Sequence, residues 1–327
     1  MKAKRLLIFS VFVFLLFALC GCSFNLYGGI ASSKNVKLEF VEIKTSEDAE
    51  FAEVAAARSL GCVVTVVSSA NVETGYGIGV LSSIYSGLIL NDEGYILTTY
   101  QAAHPTEFID GTTYEGDVSS AYAVLSDIYG DTTHYRIDLV DKDEDAGLAL
   151  FKFYDSFSYY TDSSKSETQS GFQFKACFTD KTVSVGANVV SIGNAAGYTV
   201  ISEDDSASQF TDLQVNVMSG TVLDGECDPD IFGTISYLNK EYASFLITAP
   251  VSEEMIGGGV FDENGYLIGY NYSKLYSSTD SGVSILPRVS IAYKSDLLID
   301  YIDQTSEKLQ TPIPYTIARV ANEEAAA

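Results

Sequence analysis

The sequence is poor in the residues that most often build metal sites and nucleic acid sites. It has no tryptophan, only two histidines, and 19 lysines and arginines against 44 aspartates and glutamates. The formal net charge of −25 repels phosphate backbones, so no nucleic acid partner is expected. Because histidines are so few and no Cys-x-x-Cys pair exists, a zinc site is not expected, and the sequence predicts no cofactor.

Cysteine is scarce as well, with five residues in the whole chain. Cys20 and Cys22 lie near the N-terminus, which leaves Cys62, Cys177 and Cys227 in the body of the chain. These three can form at most one disulfide, and the sequence leaves open whether Cys177 and Cys227 pair. Cys62 begins an apolar, β-branched run and is therefore predicted to be a small core residue.

The N-terminal apolar run, Leu6 to Leu19, is too short to span a bilayer comfortably, which takes about 20 residues. It follows a cluster of basic residues, as in a signal peptide. The next residues, Leu19-Cys20-Gly21-Cys22, resemble the bacterial lipobox. That resemblance implies cleavage after Gly21 and a lipid on Cys22, hence an extracytoplasmic protein anchored to a membrane. An uncleaved anchor helix is the alternative.

Short strands dominate the rest of the sequence. Tyrosine (22) and phenylalanine (18) are abundant, and such side chains fit the pleated surface of a sheet. Apolar runs of strand length recur at short spacing in two series, and the turns 91–94 and 262–265 repeat the same hairpin chemistry in each. Residues 293–303 carry apolar side chains at helical spacing and predict a C-terminal helix.

We therefore predict an all-β fold of two six-stranded antiparallel β-barrels with a C-terminal helix. The predicted divisions are a lipoprotein signal peptide at 1–21, a tether and short helix at 22–58, an N-terminal barrel at 59–155, a linker at 156–170, a C-terminal barrel with the helix at 171–304 and a mobile tail at 305–327.

Four stretches resemble motifs of trypsin-like serine proteases of the high-temperature-requirement (HtrA) type, and they occur in the family's order. The resemblance covers about residues 60 to 303 and implies the trypsin-like pair of barrels with a substrate groove between them. The stretches and the family patterns are Ser86–Thr99 (G-S-G-(V/F)-I-x-x-x-x-G-Y-I-L-T-N), Leu148–Lys152 (D-L-A-(L/V)-L-K), Asn188–Gly197 (V-x-A-I-G-(N/S)-P-x-G) and Gly257–Gly269 (G-N-S-G-G-P-L-x-N-x-x-G-x-(V/L)-(I/V)-G).

The same resemblance implies that the family's catalytic residues have been replaced. The position of the general-base histidine is Gln101, an amide without useful basicity, and that of the orienting aspartate is Gly147. The nucleophile position is Ile256, which has no heteroatom to attack a carbonyl. Glu254 stands where the family has an oxyanion-hole glycine, and a carboxylate there would oppose a developing negative charge.

These positions favour a catalytically inactive protease that still binds peptides or partner proteins, because the addition of a peptide strand needs no catalytic side chain. One alternative is an active serine endopeptidase with a relocated triad that uses His104 and Ser252. Another is a structural lipoprotein without a binding groove. The triplet Asp141-x-Asp143-x-Asp145 has carboxylates spaced as in a calcium loop, but the residues that follow do not fit one, so a solvated acidic loop is predicted.

Overall fold

The computed structural model describes residues 50–75, 77–126, 132–154, 158–160, 168–170, 175–179, 183–194, 200–202, 215–227, 244–279 and 282–318. The predicted signal peptide, the lipid-bearing Cys22 and most of the predicted tether lie outside the described residues. Within the described ranges, no helix is both long enough and apolar enough to cross a membrane. The α-helices of this part of the chain are α1 (Phe51–Ser59), α2 (Tyr100–Ala103) and α3 (Ser295–Leu309).

Runs of valine, isoleucine and leucine form the strands of a first barrel. The strands of the N-terminal half are β1 (Val63–Thr74), β2 (Gly77–Ile89), β3 (Tyr95–Thr99), β4 (Thr106–Ile109), β5 (Thr112–Glu115), β6 (Val118–Ser126), β7 (Thr132–Asp143) and β8 (Leu148–Phe153). Six of them pair antiparallel in the order β1-β6-β7-β8-β3-β2, and β2 pairs back with β1 to close the barrel. The strands β4 and β5 form a separate hairpin.

Alternation of side chains along each strand gives this barrel two buried faces. Ile96 and Phe151 belong to the core inside the barrel, together with Val66 and other small apolar residues. Their neighbours Leu97 and Leu150 belong instead to the large cluster that also contains residues of the C-terminal half. The apolar strands are therefore buried on both faces.

A second closed barrel forms from the C-terminal half. Its region contains β9 (Ser158–Tyr160), β10 (Thr168–Ser170), β11 (Cys177–Thr179), β12 (Asn188–Asn194), β13 (Val200–Ser202), β14 (Val215–Cys227), β15 (Ser244–Ile247), β16 (Gly259–Asp262), β17 (Leu267–Thr279) and β18 (Gly282–Lys294). The antiparallel order is β16-β12-β14-β15-β18-β17, with β17 pairing back with β16. Two closed six-stranded barrels and a C-terminal helix confirm the predicted fold class.

The C-terminal helix joins the first barrel through Asp141. The Thr305 hydroxyl donates to Asp141 Oδ2 at 3.0 Å, and Lys308 forms an ion pair with the same carboxylate. The side chain of Asp141 is only 11% exposed as a result. The prediction of a solvated acidic loop is therefore wrong for Asp141, because this residue anchors α3. Its neighbour Asp143 accepts the Ala146 N–H at 2.9 Å and stabilises the turn from β7 to β8.

The tail predicted to be mobile from residue 305 is ordered as far as 318, so that prediction is corrected. The helix continues to Leu309, and Ile313 is buried in the cluster shared by the two halves. Asn91 donates to the Pro314 carbonyl at 2.7 Å. A last strand, β19 (Thr316–Ala318), then pairs parallel with β11. Burial of Ile313 and these backbone bonds hold a segment whose polar composition suggested a free tail.

Three further differences concern elements that the sequence pattern did not indicate. The linker predicted at 156–170 contains the short hairpin of β9 and β10. The strand β18 was missed because Pro287 interrupts its pattern, and the pairing with β17 is irregular near this proline. Although β13 comes from the C-terminal half, it pairs with β2 of the first barrel, so the halves are not separated as sharply as predicted.

Candidate active site

The positions that the resemblance assigns to the general base and to the orienting acid lie side by side. Gln101 is in the single-turn helix α2, which follows β3 directly, and Gly147 ends the turn before β8. Since β3 and β8 are paired, with Thr99 opposite Leu148, the two positions meet at one end of this strand pair. The Tyr100 N–H donates to the Gly147 carbonyl at 2.9 Å.

Neither position presents a group for proton transfer. The side-chain oxygen of Gln101 accepts a short hydrogen bond from the Thr99 hydroxyl, so the amide is held against its own strand. Gly147 has a left-handed backbone with φ of +68°, and a β-carbon there would lie 3.4 Å from the Tyr272 ring. An aspartate at 147 would be strained because side chains other than glycine disfavour this conformation. The Tyr272 ring stands beside the place of the missing side chain.

The turn that contains Ile256, at the position assigned to the nucleophile, packs between the two barrels. We call Ile256–Gly259 the junction turn. Ile256 accepts a hydrogen bond from the Ser86 N–H at 2.9 Å, and Gly257 adopts φ of +94°. A β-carbon at Gly257 would overlap the Ser86 carbonyl oxygen, and one at Gly258 would overlap the Ile192 carbonyl oxygen. These glycines are required because backbone from both barrels occupies the space of a side chain.

The backbone donor of the nucleophile position is already used inside the protein. Residues Glu253–Met255 form a 3-10 turn in which the Ile256 N–H donates to the Glu253 carbonyl at 3.2 Å. An oxyanion hole needs such an N–H to point at the substrate oxygen, 2.7–3.1 Å away. In this conformation the Ile256 N–H points into its own turn. Sequence reasoning gave no indication of this arrangement, because any short polar loop would fit the same residues.

Two buried polar residues hold the junction turn and the 3-10 turn before it, and the sequence prediction missed both. The Ser86 hydroxyl donates to the Glu254 carbonyl at 2.9 Å and accepts the Asn194 N–H at 2.7 Å. Asn271 exchanges backbone bonds with the turn, donating to the Gly258 carbonyl at 2.9 Å and accepting the Gly257 N–H at 3.1 Å. Both residues are fully buried, so their polar groups are satisfied by this turn and its neighbours rather than by water.

Carboxylates lie near Tyr85, which precedes Ser86 in β2. Burial raises the pKa of Tyr85 to about 12, and the negative charges of Glu253, Glu107 and Glu254 add to this effect. A field that opposes ionisation of a phenol also opposes a developing oxyanion. Glu254, which the resemblance assigned to the oxyanion-hole position, is therefore one of several acidic groups around Tyr85.

The alternative residues His104 and Ser252 are not hydrogen-bonded to each other. His104 Nδ1 lies 2.9 Å from Asp117 Oδ1, and hydrogen bonds from Lys142 and His104 lower the pKa of the Asp117 carboxyl. Ser252 Oγ is buried and has no hydrogen-bond partner among the described residues. A nucleophile needs its base within about 3 Å, which this geometry does not provide.

Comparisons with known proteins agree with the fold. No curated protein sequence is similar enough to this chain to count as a match. A solved structure of a variant of the HtrA-type protease AlgW, with a tripeptide, is 17% identical, with a TM-score of 0.50, and the match covers 80% of this chain. A second AlgW structure, with a decapeptide, is 16% identical over 81% of this chain and 69% of the other, with a TM-score of 0.51.

The similarity to AlgW is a similarity of fold. The chain spans 65% of the length of the AlgW structure solved with a tripeptide, and at this identity the similarity shows the shared fold alone. The family itself is shown by a model of the trypsin-like peptidase domain, which matches residues 85–269, more than half of the chain. The matched segment includes β3, the turn before β8 and the junction turn. This chain therefore belongs to the family of trypsin-like peptidase domains.

Proposed function

We propose that this protein is a catalytically inactive trypsin-like protein, a pseudoprotease, that binds peptides or partner proteins. One observation carries the proposal: the backbone frame around the end of β3 is intact, while Gln101, Gly147 and Ile256 stand at its three catalytic positions. Peptide hydrolysis needs a nucleophile and a base that takes its proton, and none of these three side chains can do either.

The geometry of the junction turn supports the proposal independently of the side chains. The Ile256 N–H is engaged with the Glu253 carbonyl, and the carboxylates around Tyr85 disfavour negative charge on a bound substrate. Removal of one oxyanion-hole donor lowers kcat by about 10²–10³ in enzymes that are otherwise intact. If histidine, aspartate and serine were restored at positions 101, 147 and 256, the transition state would therefore still lack its backbone N–H donor.

Peptides are the ligand class that we infer for the region between the barrels. AlgW, which shares the fold, was solved with a tripeptide and with a decapeptide. In this chain Tyr272 is partly exposed beside Gly147, and its ring stacks on Tyr293 with 4.1 Å between ring centroids. A rigid, partly exposed aromatic ring provides contact area for a peptide at a low loss of conformational entropy.

The catalytic part of the proposal is tested by a cleavage assay with casein and a fluorogenic peptide library. We expect no turnover from the natural chain, and none from the triple variant Gln101→His, Gly147→Asp, Ile256→Ser. Turnover by the natural chain that a serine-directed phosphonate abolishes would overturn the proposal. If that turnover also disappeared in His104→Ala and in Ser252→Ala, a relocated catalytic centre would be the correct function.

The binding part is tested on an array of immobilised peptides with the natural chain and two tyrosine variants. Tyr272→Ala is expected to weaken the bound signals at least tenfold. Tyr154→Ala is the matched control, because Tyr154 is 59% exposed and contacts Arg136 on the first barrel. Absence of any bound peptide, or equal losses in both variants, would favour a structural role without a groove.

We further propose that the mature chain is an extracytoplasmic lipoprotein held on a membrane through Cys22. The proposal rests on the lipobox-like Leu19-Cys20-Gly21-Cys22 after the short apolar run. Metabolic labelling with a clickable fatty acid in a bacterial host should label the natural chain and not Cys22→Ser, whereas Cys20→Ser should stay labelled. Equal labelling of natural chain and Cys22→Ser would contradict the assignment.

A further inference from the structure

The two barrels carry the same hairpin turn, and its capping side chain is completed in only one of them. In the first barrel, Asn91 Oδ1 accepts the N–H groups of Glu93 at 3.0 Å and Tyr95 at 3.4 Å. The remaining side-chain atom, Asn91 Nδ2, donates to the Pro314 carbonyl at 2.7 Å. Every polar atom of this capping side chain therefore has a partner, and one of them belongs to a docked segment distant in sequence.

In the second barrel, Asp262 takes the same place and leaves one oxygen unused. Asp262 Oδ1 accepts the N–H groups of Asn264 and Tyr266, both at 2.9 Å. The residue is 6% exposed, and Asp262 Oδ2 is buried without a hydrogen-bond partner in the described part of the chain. The nearby Arg58 guanidinium donates to the Asn264 carbonyl at 3.0 Å. A buried carboxylate oxygen without a donor is unfavourable, because the hydrogen bonds it made to water are not replaced.

A cavity of about 380 Å³ adjoins this side chain. Asp262 lines it together with the apolar Val183, Ala187 and Ile268, and the further polar lining residues are Ser184, Asn188 and Glu263. The cavity combines an apolar wall, a hydroxyl, an amide and two carboxyl groups, and its size falls within the range of small-molecule sites.

We propose that this cavity binds an aliphatic primary ammonium group, as found in a lysine side chain or a small alkylamine. An ammonium has three donors and no acceptor, so it can donate to Asp262 Oδ2 and to Glu263 at once. Its alkyl stem would lie against Val183 and Ile268, as stems of lysine side chains do on apolar surfaces. The net charge of −25 attracts cations and repels anions, which favours this class of ligand over a carboxylate or a phosphate.

The site is separate from the proposed peptide groove and does not depend on loss of catalysis. Residue 262 lies at the end of β16, whereas the junction turn lies at the start of that strand. The difference between the hairpin turns at Asn91 and Asp262 gives the reason to expect a ligand in the cavity. At the first hairpin the equivalent atom holds the backbone of the C-terminal segment, and at the second it is a carboxylate oxygen beside an open cavity.

The test titrates the full chain with n-butylammonium, with Nα-acetyl-lysine methylamide and, as the neutral isostere, with n-butanol. Amide chemical shifts are followed by NMR. Saturable shifts at residues 183–188 are expected with both ammonium probes, with Kd on the order of 1–10 mM, and no saturation is expected with n-butanol. Tighter binding of the lysine derivative would indicate a peptide lysine as the source, and equal binding would indicate a free amine.

Matched variants decide whether Asp262 is responsible. Asp262→Asn keeps the oxygen that caps the turn but removes the charge, and it should weaken ammonium binding at least tenfold. Asn91→Asp makes the reverse change in the other hairpin and should leave the affinity unchanged. Should Asp262→Asn fail to fold, Ala187→Leu fills the cavity from its rim and should block binding equally. No saturation with either ammonium probe, equal saturation with n-butanol, or unchanged affinity in the folded variants would overturn the proposal.

Discussion

Two turns carry positions that the resemblance assigns to catalytic residues, and they are held in different ways. The junction turn at Ile256–Gly259 packs against backbone of both barrels, and a β-carbon at Gly258 has no space. At Gly147, a β-carbon would meet only the Tyr272 ring, at the distance of an ordinary contact. The junction turn is thus held by backbone contacts that leave no room for a side chain. The turn at Gly147, in contrast, can lose its side chain without loss of packing.

The hydrogen bonds that hold the junction turn are independent of the proposed loss of catalysis. The residues that hold the junction turn, Ser86 and Asn271, take no part in proton transfer in the proposed reading. They act through hydrogen bonds to backbone groups, which do not depend on the side chain at 256. Under the proposed loss of the catalytic residues, the stability of the fold would therefore stay largely unchanged.

The largest effect is expected from a pair of glycine substitutions. Gly258→Ala should lower the free energy of unfolding by about 3 kcal/mol or more, because the new methyl group overlaps a backbone carbonyl that cannot rotate away. Gly147→Ala should lower it by about 1–2 kcal/mol, from the left-handed φ alone. Urea unfolding at neutral pH measures both variants. Equal losses would mean that the two turns are held alike.

The sequence alone predicts the two barrels, but it does not predict that the junction turn and the turn at Gly147 are held differently. Alternating apolar runs and the turns at 91–94 and 262–265 were enough to predict two barrels, since strand periodicity is a local property. The position of the junction turn depends on Ser86, whose hydroxyl donates to the Glu254 carbonyl, 168 positions away. The left-handed backbone of Gly147 and the docking of the C-terminal tail depend likewise on contacts between segments distant in sequence, which local patterns do not encode.

Asn271 should show the next largest effect. The Ser191 hydroxyl donates to Asn271 Oδ1 at 2.8 Å, and the Asn271 amide donates to the Ile192 carbonyl at 3.2 Å. Asn271→Ala should therefore lower the free energy of unfolding by about 2–3 kcal/mol, since buried polar groups lose their partners. Gln101→Ala, at a catalytic position, is the control and should change it by less than about 1 kcal/mol.

A double-mutant cycle sharpens the Asn271 prediction. If Ser191 depends on Asn271, then Ser191→Ala should be less destabilising in the Asn271→Ala background than in the natural chain, by roughly 0.5–2 kcal/mol. Strictly additive losses would show that the hydroxyl is satisfied elsewhere. In that case Asn271 would stabilise the turn through its backbone alone.

Ser86 connects the junction turn to β12, and its removal should have a smaller effect. Ser86→Ala removes two buried hydrogen bonds but leaves the backbone bond from the Ser86 N–H to the Ile256 carbonyl. A loss of about 1–2 kcal/mol is expected. Amide hydrogen exchange offers a local readout: Ile256 should exchange faster in the variant, while Ile96 inside the first barrel should not. Unchanged exchange at Ile256 would show that the Ser86 hydroxyl does not stabilise the 3-10 turn.

The smallest effect is a change with pH at Tyr85, beside the acidic face of the junction turn. Because burial raises the pKa of Tyr85 to about 12, above its ordinary value near 10, the folded state holds this proton after the unfolded state has lost it. The contribution to stability is complete below pH 10 and is lost as the pH rises from about 10 to 12. The stability of Tyr85→Phe relative to the natural chain should therefore rise by about 0.8 kcal/mol between pH 8 and 10.5. A flat difference for Tyr85→Phe would mean that the phenol is solvated, and that Glu253, Glu254 and Glu107 do not act on it as a group.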